Sequence, residues 1–287
     1  MTVQLEKLPG LTSRLTLSRG DLGLFLLAAF AIAEQEPLSS STSLPHFLNA
    51  LAQQNLFVVF AIFVAARGFL ANGSDLKLKQ TDWVLAGAGA ILSGIVCFCG
   101  IYQLAGLSLT LVLIPLWFSG ARDLQFTSAL LVSGALAINS FWGPLVFQTF
   151  TAPIIAFDTT LLHGAYAMLR PDIHQQGATF MSTDGFGIVV VGACSVFNSA
   201  SVAFLAATAV TQYMKPGVRW RDFVVLAIVL VSMIAINTGR LILMGWSRDQ
   251  FAFWHDGGGG PYIALAQTVV IGAIAIAGAR WSIRKEA

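Results

Sequence analysis

Charged side chains are scarce in this chain. Only 10% of its 287 residues are Asp, Glu, Lys or Arg, whereas 56% are hydrophobic. Because charged residues make up about 25% of an average soluble domain, this composition excludes an ordinary soluble protein. Apolar runs close to the roughly 20 residues that cross a bilayer recur along the chain. Together these features predict an all-α polytopic membrane protein.

Several kinds of functional motif are also absent from the sequence. Three cysteines are too few for a disulfide framework or a zinc cluster. Cys97 and Cys99 flank one residue and so point to different faces of a helix, which favours core packing over a redox pair. No glycine-rich phosphate-binding loop and no basic nucleic-acid patch is present. We therefore expect no cofactor and no nucleic-acid partner.

The apolar runs predict about eight transmembrane helices. They cover approximately residues 20–33, 55–71, 83–102, 104–118, 126–147, 194–214, 222–246 and 261–279. The first run lacks a small-residue cleavage site after its apolar part, which favours a retained helix over a removed signal peptide. We interpret the chain as one integral membrane domain, with a five-span part over 1–147, a polar segment over 148–192 and a three-span part over 193–287.

The segment 148–192 is too polar to span a membrane. Within it, Thr159–Leu169 is expected to form a short interfacial helix, and Gly185–Val191 an extended segment leading to Cys194. The segment also carries two histidines and two acidic residues that invite a metal-site interpretation: His163, His174, Asp172 and Asp184. The spacing of the two histidines fits no tight ligand motif, so no metal is expected.

Basic residues orient the predicted spans, because cytoplasmic loops carry an excess of Lys and Arg. With the N-terminus inside, only Arg170, Arg240 and Arg248 of the 16 basic residues fall outside. The remaining basic residues are Lys7, Arg14, Arg19, Arg67, Lys77, Lys79, Arg122, Lys215, Arg219, Arg221, Arg280, Arg284 and Lys285. The charges therefore predict that both termini are cytoplasmic.

Three side chains with distinct chemistry lie at helix ends in the last third of the chain. Cys194 stands where a polar loop enters the sixth predicted span, Arg240 lies near the end of the seventh, and His255 lies in the loop that follows. In the predicted orientation all three fall on the outer face. The sequence thus predicts a thiol, a guanidinium and an imidazole on one side of the membrane.

These side chains fit a cysteine-nucleophile site. A thiolate is the nucleophilic form of cysteine, and a helix N-terminus beside cationic groups favours it. His255 could act as the general base or as an imidazolium partner, and then protonate the leaving amine. Arg240 keeps its proton, so its expected role is to hold an oxyanion or a substrate carbonyl. Asn237 is expected to orient Arg240, and Asp256 could orient His255.

At these residues the chain resembles the exosortase/archaeosortase family of integral membrane sorting enzymes. The family is marked by a Cys-Ser pair at a helix start, an Arg shortly after an Asn, and a His followed by glycine. The corresponding segments here are Ala193-Cys194-Ser195, Asn237-Thr238-Gly239-Arg240-Leu241, and His255 with Gly257 to Gly260. The family often continues Cys-Ser-Gly-hydrophobic-Arg, whereas this chain has Val196, Phe197 and Asn198 after Ser195.

The resemblance implies a cysteine peptidase or transpeptidase in the cytoplasmic (inner) membrane, with its active site on the outer, periplasmic face. Its substrates would be exported proteins that carry a C-terminal signal, made of a short motif, an apolar helix and a basic cytoplasmic end. The resemblance assigns the catalytic roles to Cys194, Arg240 and His255. Ser195 and Asn198 would be supporting residues. Water, a lipid amine or a glycan remains open as the acceptor.

A non-catalytic interpretation exists for each of these residues. A lone cysteine is often a small buried hydrophobe, an arginine near a helix end can extend to the membrane interface, and a loop histidine is often solvated. The alternative function is a non-enzymatic transporter or assembly protein of the cell envelope. It is disfavoured because ionisable residues are nearly absent from the interiors of the predicted spans, where a transport path needs them.

Overall fold

A computed structural model of the protein describes residues 19–34, 56–72, 80–99, 104–118, 123–255 and 258–283. Most of these residues are helical. The N-terminal helices are α1 (Arg19–Glu34), α2 (Leu56–Asn72), α3 (Gln80–Cys99), α4 (Ala105–Phe118) and α5 (Leu124–Ala137). A π-helical turn at Ile138–Trp142 joins α5 to α6 (Gly143–Thr149), and α7 (Thr151–Leu169) follows.

The C-terminal half begins with a small sheet and ends with helices. The strands are β1 (Ile173–Gln176), β2 (Thr179–Ser182) and β3 (Gly187–Val189). A 3₁₀ turn at Gly192–Cys194 then leads to α8 (Phe197–Met214), α9 (Trp220–Met244), α10 (Arg248–His255) and α11 (Gly259–Ile283).

Three helical segments of the described chain are long and apolar enough to cross a membrane. They are Leu124–Thr149, which contains α5, the π turn and α6, and the two helices α9 and α11. Shorter apolar stretches lie in α2, α3, α4 and α8. Because a hydrocarbon core needs about 20 residues of helix, the described helices support a membrane protein with three spanning segments. The count of eight stays a prediction.

Aromatic and aliphatic side chains hold the N-terminal helices together. Phe30 of α1, Phe69 of α2 and Phe126 of α5 are each 2% exposed or less and belong to one apolar cluster. Leu205 of α8 is fully buried in the same cluster. The sixth predicted span therefore packs directly against the N-terminal part.

The polar segment contains an antiparallel sheet, which differs from the all-α prediction. The strand order is β1-β2-β3, with Phe180 opposite Ile188 in the register of β2 and β3. Gly177 has φ of +62° at the first position of the two-residue β1–β2 turn, a position that favours glycine. Only an extended segment over Gly185–Val191 was expected. Strands of three or four residues have too little periodicity to identify their partners.

Helix α7 is longer than the sequence indicated. Its predicted start at Thr159 is wrong, because the helix begins at Thr151. Pro153 lies in the first turn of α7. Proline is tolerated there because the amide groups of a first helical turn have no intrahelical acceptor.

Helices α9 and α11 approach each other closely at a glycine. A Cβ atom added to Gly278 of α11 would contact the side chain of Val225 of α9, which is only 3% exposed. Small residues allow such contacts between the backbones of membrane helices. Gly272, on the same helix, faces open space.

We therefore expect Gly278→Ala to destabilise the protein, and Gly272→Ala to be neutral or mildly stabilising. Overpacking at Val225 costs about 1–3 kcal/mol, whereas alanine improves helix propensity by up to about 1 kcal/mol. Unfolding in mixed SDS micelles, followed by circular dichroism, measures both variants. Equal unfolding midpoints for the two alanine variants would contradict the close contact.

Candidate active site

Cys194 lies in a short turn before α8. Its amide donates to the Val191 carbonyl at 2.8 Å, and the Ser195 amide donates to the Gly192 carbonyl at 3.0 Å. The prediction that Cys194 starts the helix is wrong, since α8 begins at Phe197. The field of a helix terminus falls off within its first turn, so the thiol gains less from α8 than the sequence suggested.

The thiol is buried against apolar side chains. Cys194 is 7% exposed. Its cluster brings together α7, the sheet and α9 through Leu162, Tyr166, Phe180, Ile188, Val190, Leu241 and Met244. The sulfur is therefore shielded from bulk solvent in this conformation.

Asn237 of α9 fastens the turn that carries the thiol. Its side-chain Nδ2 donates to the Cys194 carbonyl oxygen at 2.9 Å, and the Asn237 side chain is buried. Asn237 was expected to orient Arg240, but its side chain hydrogen-bonds to the Cys194 carbonyl instead. Arg240 lies three positions further along, on the same side of α9. The same face of α9 therefore carries the amide that holds the turn and the guanidinium of Arg240.

Arg240 connects α9 to the end of α10. Its Nη2 and Nε atoms lie 3.3 Å and 3.4 Å from the Trp254 carbonyl oxygen, and the side chain is half-buried. These two distances are at the long end for hydrogen bonds. The guanidinium is therefore held loosely, next to the residue that precedes His255.

His255 ends α10, whereas the sequence indicated a loop. The imidazole is stacked on Phe251, with ring centroids 4.7 Å apart and an interplanar angle of 12°. His255 is exposed, and Phe251 packs against the cluster that contains Cys194. Asp256 and the side chain of Asn198 lie outside the described residues.

A cavity of about 260 Å³ lies where these elements meet. Its walls come from both neighbours of Cys194, from α9 and from α11: Ala193, Ser195, Asn237, Arg240, Gly260 and Gln267. The structure thus brings Arg240, Asn237 and Ser195 to one cavity. Neither Cys194 nor His255 is part of its wall. Cys194 stands in the chain between two residues of the wall, and its side chain packs in the apolar cluster instead.

Asp158 of α7 supports the same turn and was not singled out by the sequence analysis. It is 6% exposed and hydrogen-bonds to the Ser195 hydroxyl, whose oxygen also accepts from the Phe197 amide at 3.2 Å. Burial raises the pKa of the Asp158 carboxyl, and the hydrogen bond with Ser195 opposes part of that shift. Its Oδ2 atom has no hydrogen-bond partner among the residues that the structure describes. A single acidic residue within an apolar helix is the sequence feature that could have identified Asp158 as a functional candidate.

Polar contacts hold the sheet and α7 against the end of α9. The Tyr166 hydroxyl donates to the Leu241 carbonyl at 3.0 Å, and burial raises the pKa of Tyr166 to about 12. Arg170 forms two hydrogen bonds with Asp172, at 2.7 Å and 2.8 Å, and one with the Trp246 carbonyl at 3.0 Å. Because Arg170 holds Asp172, the pKa of that carboxyl lies well below its usual value. The Asp172 carboxylate, which the sequence offered as a possible metal ligand, is thus bound by Arg170.

Comparisons with protein-family models, with curated proteins and with solved structures each found no match to this chain. Within the described part of the chain, no group of three or more His, Cys, Asp or Glu side chains is arranged to hold a metal ion.

We expect Asp158→Asn to flatten the dependence of stability on pH. The folded protein keeps the Asp158 proton to a higher pH than the unfolded chain does, because burial raises the pKa. The free energy of unfolding of the wild type should therefore fall as the pH rises above about 4, where an unfolded aspartate ionises. Asparagine keeps an acceptor for Ser195 and has no proton to lose.

Chemical unfolding at several pH values between about 4 and 8 checks this expectation. Asp249→Asn removes an equal charge from an exposed position on α10 and controls for net charge. The Asp158→Asn protein should be more stable than the wild type at neutral pH. If the free energy of unfolding varies with pH in the same way for Asp158→Asn and the wild type, the Asp158 carboxyl does not contribute as described.

Proposed function

We propose that this chain is a membrane-embedded cysteine peptidase or transpeptidase. One observation carries the proposal. The turn that bears Cys194 is tied to α9 by Asn237, and Arg240 from the same helix face lines a cavity together with both neighbours of the thiol. This arrangement puts a permanent cation in the wall of a small cavity, next to the turn that bears the thiol. Attack on a carbonyl group needs a nucleophile and is aided by a positive charge that stabilises the oxyanion.

The reaction begins with transfer of the Cys194 proton to His255. The thiolate attacks the carbonyl carbon of the cleaved peptide bond, the C–N bond breaks, and the leaving amine takes the proton from His255. A thioester between Cys194 and the N-terminal part of the substrate results. Water or an amine then attacks this thioester and releases the sulfur. This reaction requires the thiol and His255 to turn toward the cavity, because neither side chain is part of its wall in the structure.

Arg240 stabilises the negative oxygen that forms during both attacks. Its guanidinium stays protonated and presents several N–H donors in a fixed plane. In the structure these donors rest on the Trp254 carbonyl at long distances. An oxyanion is a stronger acceptor than a neutral carbonyl, so it displaces the Trp254 oxygen.

The resemblance to exosortases and archaeosortases supports a more specific substrate. Exported proteins with a C-terminal apolar helix and a basic end would enter sideways between the helices of this chain. In this proposal the chain has eight spans in the cytoplasmic membrane, with both termini inside and Cys194 on the outer face. The three long helices and the distribution of basic residues support this arrangement.

Co-expression with a tail-bearing exported protein tests the activity. We expect the wild type to shorten that protein, with mass spectrometry of the new C-terminus locating the cut. Cys194→Ala should abolish the cut while still accumulating in the membrane, and His255→Ala should do nearly the same, because such residues act as a unit. Cys97→Ser is the matched cysteine control. Near-normal processing by Cys194→Ala would rule out covalent catalysis.

The same assay separates two roles of Arg240. Lysine keeps the charge but loses the planar fork, so Arg240→Lys should process at least about a hundredfold more slowly, the loss typical of one oxyanion donor. Arg248→Lys, at an exposed position on α10, should process at the wild-type rate. If Arg240→Lys stays within a few-fold of wild type at matched membrane levels, Arg240 serves only as an interfacial anchor.

Labelling from the two sides of the membrane tests the proposed topology. Val191 and Val218 lie before and after α8, and their side chains are 47% and 52% exposed. In a background without the three native cysteines, a membrane-impermeant maleimide should label Val191→Cys in intact cells. Val218→Cys should react only after the inner membrane is permeabilised. The reverse pattern would overturn the orientation.

A further inference from the structure

Strand β3 forms an edge of the sheet. It pairs with β2 on one side, through hydrogen bonds that include Val190 N–H to the Ala178 carbonyl at 2.9 Å and Ser182 N–H to the Phe186 carbonyl at 2.8 Å. Backbone groups of alternate residues point to opposite sides of a strand. The residues between these bonded positions, Gly187 and Val189, therefore direct N–H and C=O away from β2.

The outer side of β3 is an unused hydrogen-bonding edge. The backbone groups of Gly187 and Val189 have no hydrogen-bond partner among the residues that the structure describes. Proteins usually protect such edges with charged residues or proline. Here the sequence from Phe186 to Val191 is Phe-Gly-Ile-Val-Val-Val, with neither. Ile188 and Val190 are buried, whereas Val189 is 56% exposed.

This edge leads directly to the thiol. Only Val190 and Val191 separate the end of β3 from the 3₁₀ turn that contains Cys194. A chain that pairs with β3 and continues in the same direction therefore arrives at the turn and at the cavity beside it. Its alternate side chains would lie on the buried face of the sheet, next to Ile188 and Val190.

We propose that the polypeptide substrate adds to β3 as a fourth strand, which delivers the cleaved bond to Cys194. This proposal rests on the proposed peptidase function. Strand addition gives affinity through main-chain hydrogen bonds and specificity through alternate side chains. A second copy of this chain fits less well, because a three-residue edge buries far less area than a stable dimer requires.

Two proline variants test the edge. Val189→Pro removes an outward N–H group, and edge strands tolerate proline at such positions. Gln175→Pro makes the same change on β1, at the opposite edge of the sheet. Gln175 lies opposite Phe180, whose backbone groups point toward β3 as those of Ala178 do, so the backbone groups of Gln175 point away from β2. We expect Val189→Pro to lower the processing rate of the tail-bearing protein at least about tenfold. Gln175→Pro should leave it unchanged.

The outcomes distinguish this proposal from the function on which it rests. If the wild type processes the tail-bearing protein and Val189→Pro does so equally well, strand addition is wrong and the peptidase function stands. If the wild type produces no cut, the peptidase function is wrong. Equal losses in both proline variants would indicate damage to the sheet and would also count against a specific role for β3.

Photo-crosslinking decides the question without relying on activity. Val189→p-benzoylphenylalanine, combined with Cys194→Ala, should crosslink to the tail-bearing protein at residues next to the cut. The same amino acid at Gln175 should give no such adduct. Adducts at position 189 only to lipid, or only to a second copy of this chain, would overturn the proposal.

Discussion

The hydrogen bond from Asn237 to the Cys194 carbonyl joins the parts of the molecule on which the candidate site depends. Apart from the contact between Asp158 and Ser195, the turn at Gly192–Cys194 is otherwise held by hydrogen bonds between near neighbours in the chain. Both partners are buried, and an unsatisfied buried amide costs about 1–3 kcal/mol. This bond therefore sets the position of the thiol relative to α9, and through α9 relative to Arg240. The cavity lies where these two elements meet α11.

Helices with a strong local signal were predicted well. The segment Leu124–Thr149, α9 and α11 follow from long uninterrupted apolar runs, and run length is a property of the sequence alone. The sheet was missed because its strands are three or four residues long and gain their identity from pairing. The first eight residues of α7 were missed because they lie in a stretch that breaks the apolar pattern. Spacing in the sequence alone does not show that Pro153 falls in the first turn of a helix.

The candidate site was predicted in composition but not in contacts. The sequence identified Cys194, Asn237 and Arg240, and the structure brings the two polar side chains to the cavity beside the cysteine. It did not predict that Asn237 holds a backbone carbonyl, since such a contact depends on how a turn packs against a distant helix. The contact between Asp158 and Ser195 was missed because it also depends on how the turn packs against a distant helix. Because Cys194 is buried, its thiol is protected from solvent in this conformation.

The π-helical turn at Ile138–Trp142 has a consequence for the register of the long helix that contains it. Such a turn accommodates one extra residue, so the residues after it are rotated by about 100° relative to an uninterrupted α-helix. With this phase, Gly143 faces Ser201 of α8, and Phe147 lies against Gly192 in the turn that carries Cys194. Loss of one residue from Ile138–Trp142 would straighten the helix and turn Phe147 away from that turn. The alignment of the turn that carries the thiol therefore depends on a single-residue insertion more than fifty positions earlier in the chain.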